Sequence, residues 1–230
     1  MLAPCAHHRV QFDVPPFRLS GIVYGSLLNQ RDALDAMGDA VDKPPYNAAP
    51  RAPILYMKPR NTLVVSGDRV TIPAAAEEVE IGACLGVVIG KTACRVSAVH
   101  ALDHVAGYLI VNDVSLPHRN FYRPSVRFKA QDGFCPLGPV VTPRVAVADP
   151  GALSLRTYVD GVLVQTSTTS TLVRPIPQLL ADVTEFMTLA PGDVLAAGVA
   201  AGAPRARPGQ SVTIEIDGLG ALSNFFVRAS

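Results

Sequence analysis

Apolar residues along this chain come in short runs broken by glycine and proline, and only one stretch keeps a helical rhythm. Residues 82–89 (GACLGVVI) form a continuous apolar run, which predicts a strand buried on both faces. Residues 107–111 predict a second such strand, ending in polar Asn112 and Asp113. Further strands are expected within 17–28, at 54–57 before Lys58-Pro59, and at 140–147, 153–159 and 162–166. Asp160-Gly161 between the last two fits a type I′ turn. Residues 62–66 and 69–72 flank Gly67-Asp68 like the arms of a hairpin, and 194–197, 211–216 and the tail to Val227 complete the extended set. The helical stretch is 176–188, with Leu179, Leu180, Val183 and the Phe186–Met187 pair on its buried side. Shorter helices are expected at 29–40, with Leu34 and Met37 on one side, and at 97–104, where Ser97 can cap.

This order of elements predicts a β-rich α+β fold. Pro44, Pro45, Pro50 and Pro53 crowd one loop that cannot form ladders, so residues 1–53 read as an N-terminal elaboration packed on a main domain of 54–230. No internal repeat or low-complexity linker divides the chain.

Composition narrows the function classes. The 230 residues suit one large domain, and 49% of them are hydrophobic. Charged residues make up 17% and the formal net charge is +1. That excludes the basic field needed for non-specific nucleic-acid binding and a polybasic membrane patch; the low charge also fits a surface covered in an oligomer. The four cysteines show no C-x-x-C spacing and read as reduced thiols, three of them buried. No signal-peptide pattern opens the sequence, and no apolar run nears the ~20 residues of a membrane span. The expectation is a soluble cytoplasmic protein.

The candidate chemistry sits in 111–139. The text VNDVS at 111–115 and KAQDGFCPLGP at 129–139 places Asp113, Lys129 and Asp132 beside the end of a buried strand. Charges are costly to hold there unless something requires them. The plain alternatives are that Asp113 caps a turn and that Lys129 pairs with Asp132 at the surface. His100 and His104 have i, i+4 metal spacing but no third ligand, and His7 and His8 lie near the terminus.

Six segments in fixed order carry a more specific signal. They are Lys58-Pro59, VVIGK at 87–91, GYLIVNDVS at 107–115, KAQDGFCPLGP at 129–139, TLAPGD at 188–193, and Gly220, Leu222 and Asn224 in G-x-L-x-N. Together they resemble the fumarylacetoacetate hydrolase family across roughly 54–227. The resemblance implies a roll of mixed β-sheets with a few helices, normally dimeric, and a Mg²⁺ or Mn²⁺ ion held by Glu-x-Glu and an Asp. That ion would chelate a 2-oxo acid and stabilise its enolate as a Lewis acid. Carried over to this sequence, Asp113 is the metal residue. Lys129 and Asp132 are catalytic, and Arg123, Tyr122, Thr169 and Lys58 face substrate, with Arg119 and Arg127 as competing cations. The stretches LNQRDALDA, PPYNAAPRAPILYMKPRNT, NDVSLPHRNFYRP and DGFCPLG resemble, more narrowly, the N-terminal half or first subunit of members that decarboxylate and isomerise homoprotocatechuate-derived acids.

The sequence also departs from the family's pattern. The two glutamate positions fall on Gly82 and Cys84, and the nearest Glu-x-Glu, Glu78-Val79-Glu80, comes four residues too early. Along one continuous strand that displaces the groups by about 13 Å. The family's G-T-P-x-G loop reads Gly198-Val199-Ala200-Ala201-Gly202, without the hydroxyl. A His-x-x-Glu dyad would fall on Ala33 and Ala36, which disfavours hydrolysis. The expected activity is decarboxylation of 5-oxopent-3-ene-1,2,5-tricarboxylate, isomerisation of 2-hydroxyhepta-2,4-dienedioate, or both. One alternative is a catalytically degenerate subunit, so that the assembly is either a homodimer or a heteromer with a metal-competent homologous subunit. Another is an acylpyruvate hydrolase or oxaloacetate decarboxylase.

Overall fold

A computed structural model describes residues 13–14, 17–118 and 125–229 of the chain. It opens with the short antiparallel pair β1 (Asp13–Val14) and β2 (Phe17–Arg18), then β3 (Val23–Leu27) and helix α1 (Arg31–Asp35). Next come β4 (Ile54–Lys58), β5 (Leu63–Val65), β6 (Arg69–Ile72), β7 (Val79–Glu80), β8 (Ala83–Ile89) and β9 (Val105–Asn112). Helix α2 (Val126–Lys129) precedes β10 (Cys135–Pro143), β11 (Ser154–Val159) and β12 (Val162–Thr168). Helix α3 (Ile176–Phe186) is followed by β13 (Val194–Ala196), β14 (Arg205–Ala206), β15 (Ser211–Ile216) and β16 (Gly220–Arg228).

Seven strands form one mixed sheet in the order β4-β3-β13-β8-β9-β10-β5, and five form a second in the order β12-β11-β15-β16-β6. The continuous apolar run of β8 is explained by its two faces. Ala83, Leu85, Val87 and Ile89 enter the main core together with α3 and the second sheet, whereas Cys84 and Val88 join a smaller cluster on the opposite face. Gly86 completes that opposite face, where a Cβ would come within 2.7 Å of both Leu109 and Val111. Strand β3 lies between β4 and β13, so the large sheet draws on sequence from both sides of Pro53.

Several local expectations change. The arms around Gly67-Asp68 do not pair with each other: β5 runs parallel to β10 in the large sheet and β6 runs parallel to β16 in the smaller one. Gly67 (φ +91°) turns the chain from one sheet into the other, and long-range pairing overrides the local hairpin signal. The helix expected over 29–40 stops at Asp35, with Gly38 (φ +49°) leading into a 3-10 turn, Gly38–Asp42. Of 97–104 only Ala101–His104 winds, also as 3-10, and no side chain caps it. α3 ends at Phe186, whose side chain is exposed, while Met187 packs on the core. Strand β10 starts five residues before the expected 140, because it pairs with both β5 and β9. Cys84 and Cys135 are buried but Cys94 is exposed, and Cys5 lies outside the described residues. Among the described residues no helix is long and apolar enough to cross a membrane.

Candidate active site

The site forms where β9 ends. β8 and β9 pair antiparallel with Ala83 opposite Asn112. One residue further, the Asp113 N–H donates to the Gly82 carbonyl (2.8 Å), and the Gly82 N–H donates to Asn112 Oδ1 (3.2 Å). The buried ladder thus fixes Asp113 at the strand end with its side chain 3% exposed. β4 supplies two residues at alternate positions, Tyr56 and Lys58, and α2 supplies Lys129 on its last turn.

These side chains converge on one carboxylate. The Lys129 ammonium and the Tyr56 hydroxyl each donate to Asp113 Oδ2 at 2.5 Å. Lys129 also donates to Ser115 Oγ (2.8 Å), and its Nζ stands 4.5 Å from the centroid of the Tyr56 ring, a cation–π contact. From behind, Lys58 Nζ lies 2.8 Å from Asp113 Oδ1. An ammonium has three protons, and Lys58 gives its three to the carbonyls of Val114 (2.6 Å), Lys129 (2.7 Å) and Phe134 (2.9 Å). Asp113 Oδ1 therefore feels the charge of Lys58 but accepts no hydrogen bond.

Burial alone would raise the Asp113 carboxyl, but the ammoniums of Lys129 and Lys58 outweigh it and hold the group well below the usual carboxylate range. Lys58 is shifted down, by burial first and by Lys129 as well, with Asp113 opposing. The Tyr56 phenol is pushed well above its ordinary value by burial and by the neighbouring Asp113 charge. Two ammoniums against one carboxylate leave one excess positive charge at the floor of a cavity.

That cavity, about 470 Å³, is lined by Tyr56, Asp113, Ser115 and Lys129 together with Glu80, His118 and Arg205. Gly82, Val199, Ala33 and Ala36 also line it and bring no polar side-chain atom. Of the residues expected from sequence, the structure brings together Asp113 and Lys129 and adds Lys58 behind them, sealed from the cavity at 1% exposure. It does not bring in Asp132, which is exposed and accepts from Asn61 Nδ2 (2.7 Å). Nor does it bring in Thr169, a buried residue whose hydroxyl accepts from the Leu153 N–H (2.9 Å). Tyr122 and Arg123 lie outside the described residues, as does Arg119.

Four residues escaped the sequence reading. Tyr56 alternates with Lys58, and Ser115 closes the VNDVS text, so each had a signal. Arg205 had none. A displacement of about 13 Å along one continuous strand would put Glu80 out of reach. The strand in fact breaks: β7 pairs with β14, β8 begins three residues after Glu80, and a separate bridge joins Glu80 to Ser115. Burial raises the Glu80 carboxyl above its ordinary value, with partial opposition from His118, Arg205 and Lys129.

The donor set does not fit a divalent metal. Gly82 offers no ligand, and a Cβ there would lie 2.6 Å from the Asp113 carbonyl oxygen. The Cys84 thiol is pushed up to about 12 by burial, so it stays protonated rather than becoming the thiolate a metal needs. Asp113 Oδ2 already holds a cation, the Lys129 ammonium. Among the described residues no three His, Cys, Asp or Glu side chains are grouped to hold an ion.

With this mixed-sheet roll and its site in place, residues 22–227 match the family model described as fumarylacetoacetate (FAA) hydrolase C-terminal. The chain belongs to the fumarylacetoacetate hydrolase family. It is 39% identical over 206 residues to the 4-hydroxyphenylacetate degradation bifunctional isomerase/decarboxylase of Salmonella dublin, covering 90% of this chain and 47% of that protein. The Escherichia coli protein of the same description is 36% identical over equal coverage. The chain thus spans about half the length of these curated relatives. Among solved structures, 5-carboxymethyl-2-hydroxymuconate delta-isomerase from Mycobacterium smegmatis superposes with a TM-score of 0.80 at 32% identity, covering 94% of this chain and 82% of that one. Fumarylpyruvate hydrolase from Pseudomonas aeruginosa, solved with Mn²⁺ and pyruvate, also gives 0.80, at 26% identity and 93% and 91% coverage.

Proposed function

We propose that this chain is an isomerase and decarboxylase of 2-oxo dicarboxylates in aromatic-ring breakdown. Its substrates are 2-hydroxyhepta-2,4-dienedioate, converted from enol to keto form, and 5-oxopent-3-ene-1,2,5-tricarboxylate, which it decarboxylates. The observation that carries this reading is the Lys129 ammonium, clamped on Asp113 and facing the cavity. Both reactions pass through an enolate, and a fixed cation facing the reacting oxygen stabilises the charge that develops on it. Asp113, held as a carboxylate, aims the Lys129 amine through their 2.5 Å contact. Arg205, half-exposed on the cavity wall, has the charge and fork geometry to hold the remote carboxylate. The relatives described as 4-hydroxyphenylacetate degradation bifunctional isomerase/decarboxylases support the same pair of reaction types.

The test is to treat the purified chain with chelator and follow loss of the dienedioate absorbance with and without Mg²⁺. Turnover in both conditions, lost in Lys129→Met, supports the reading; no turnover in either sinks independent catalysis. Gly82 and Cys84 favour one second reading, in which the chain pairs with a homologous subunit that carries the metal ligands. That reading expects activity only after the two subunits are mixed.

A further inference from the structure

Resting on the isomerase reading, we propose that Glu80 is a catalytic residue of this cavity, carrying the proton between the enol oxygen and the substrate carbon. Among the described residues two carboxylates line the cavity, Asp113 and Glu80. Asp113 is occupied by Lys129 and Tyr56 on one oxygen and faces Lys58 with the other. The Glu80 carboxylate accepts no hydrogen bond from the described residues. Arg205 Nη2 stands 3.8 Å from it, while Nη1 of the same guanidinium bonds Glu78 instead.

The backbone around Glu80 is held by two hydrogen bonds to Ser115. Its N–H donates to the Ser115 carbonyl (2.8 Å) and its carbonyl accepts from the Ser115 N–H (3.1 Å). The hydroxyl of that same serine accepts from Lys129. Ser115 therefore sets both the acid–base group and the cation on one wall, each within reach of a ligand in the same space. With its side chain 26% exposed, Glu80 is open to the cavity and largely shielded from bulk water. His118, which also lines the cavity, has its ring stacked on Phe128 at 4.8 Å and Nδ1 2.9 Å from the Leu116 carbonyl.

The proton balance needs no other reactant. Glu80 as carboxylate takes the enol O–H proton, and the electron pair of that bond moves to the oxygen facing Lys129. The pair forms the C=O bond, the enol π electrons take the proton back from Glu80 at carbon, and the carboxylate is regenerated. One O–H bond is lost and one C–H bond gained. The plain alternative is that Glu80 is a strand-edge partner of Arg205 and nothing more.

The test uses the full chain, chelator-treated, in D₂O with 2-oxoadipate as probe. NMR follows exchange of the C3 protons, and calorimetry measures binding of the same probe. Glu80→Gln is expected to slow exchange roughly 10²–10⁴-fold with binding and melting midpoint unchanged, and Glu80→Asp to restore part of the rate. Exchange at the wild-type rate in Glu80→Gln overturns the role of Glu80 and leaves the isomerase reading standing. Loss of binding together with exchange marks a structural role and overturns it as well. A wild-type chain that neither binds nor exchanges the probe overturns both.

Discussion

A β-carbon placed on Gly25 would lie 2.0 Å from Cζ of Tyr56, its partner across the β3–β4 ladder. The missing side chain is what lets the Tyr56 ring lie flat across the strand and reach Asp113. Gly25→Ala is expected to push the ring away and cost about 1–3 kcal/mol as overpacking, read as a lower urea midpoint. Tyr56→Phe keeps the ring and removes only the bond to Asp113, so its midpoint is expected to fall while the Phe ring still packs. An unchanged midpoint in Gly25→Ala would show that the ring has room to relax.

The two lysines are expected to separate by assay. Lys58→Met strips donors from three buried carbonyls and takes the charge from behind Asp113, a loss of about 3–5 kcal/mol by analogy with broken buried pairs. Lys129→Met removes the cavity-facing charge, and its larger effect is expected on binding of 2-oxo dicarboxylates. Equal losses of stability and of binding in both variants would contradict this division.

Acid stability follows from Asp113. Its folded-state pKa lies below the unfolded value of about 3.9, so the unfolded state binds the proton more readily. The carboxylate's contribution is complete above the unfolded value and drains away as pH falls through and below it. Melting midpoints of wild type and Asp113→Asn are therefore expected to differ most near pH 7, with the gap starting to narrow only as pH falls below about 4. A gap that is constant with pH would place the stabilisation elsewhere.

Mn²⁺ offers a direct check of the donor set. The electron paramagnetic resonance signal of free Mn²⁺ is expected to keep its full amplitude when the chain is added. Gly82→Glu is not expected to create a site, because its Cβ would meet the Asp113 backbone. A stoichiometric loss of signal in the wild type would mean that Lys129 gives way to the ion.

The sequence carried the strands whose pattern is decided by burial on both faces, such as β8 and β9, and it carried α3 through its apolar spacing. It misread Gly67-Asp68, because a turn signal is local whereas β5 and β6 take their partners from strands far along the chain. The same limit governed the site. Asp113 and Lys129 were legible as costly charges in a motif. Glu80 was not, since its distance from the site was counted along a strand that in fact breaks between Glu80 and Ala83. Asp132 had the right neighbours in sequence and faces away from the cavity in space, bonded to Asn61.

Lys58 ties together the carbonyls of Val114, Lys129 and Phe134, from three segments that each border the site. A ligand entering the cavity thus meets groups already locked in place and has little ordering to impose. Association is expected to resemble rigid docking, with small backbone displacement and a modest entropic penalty. Selectivity then rests on the shape and charge that these fixed groups give the cavity.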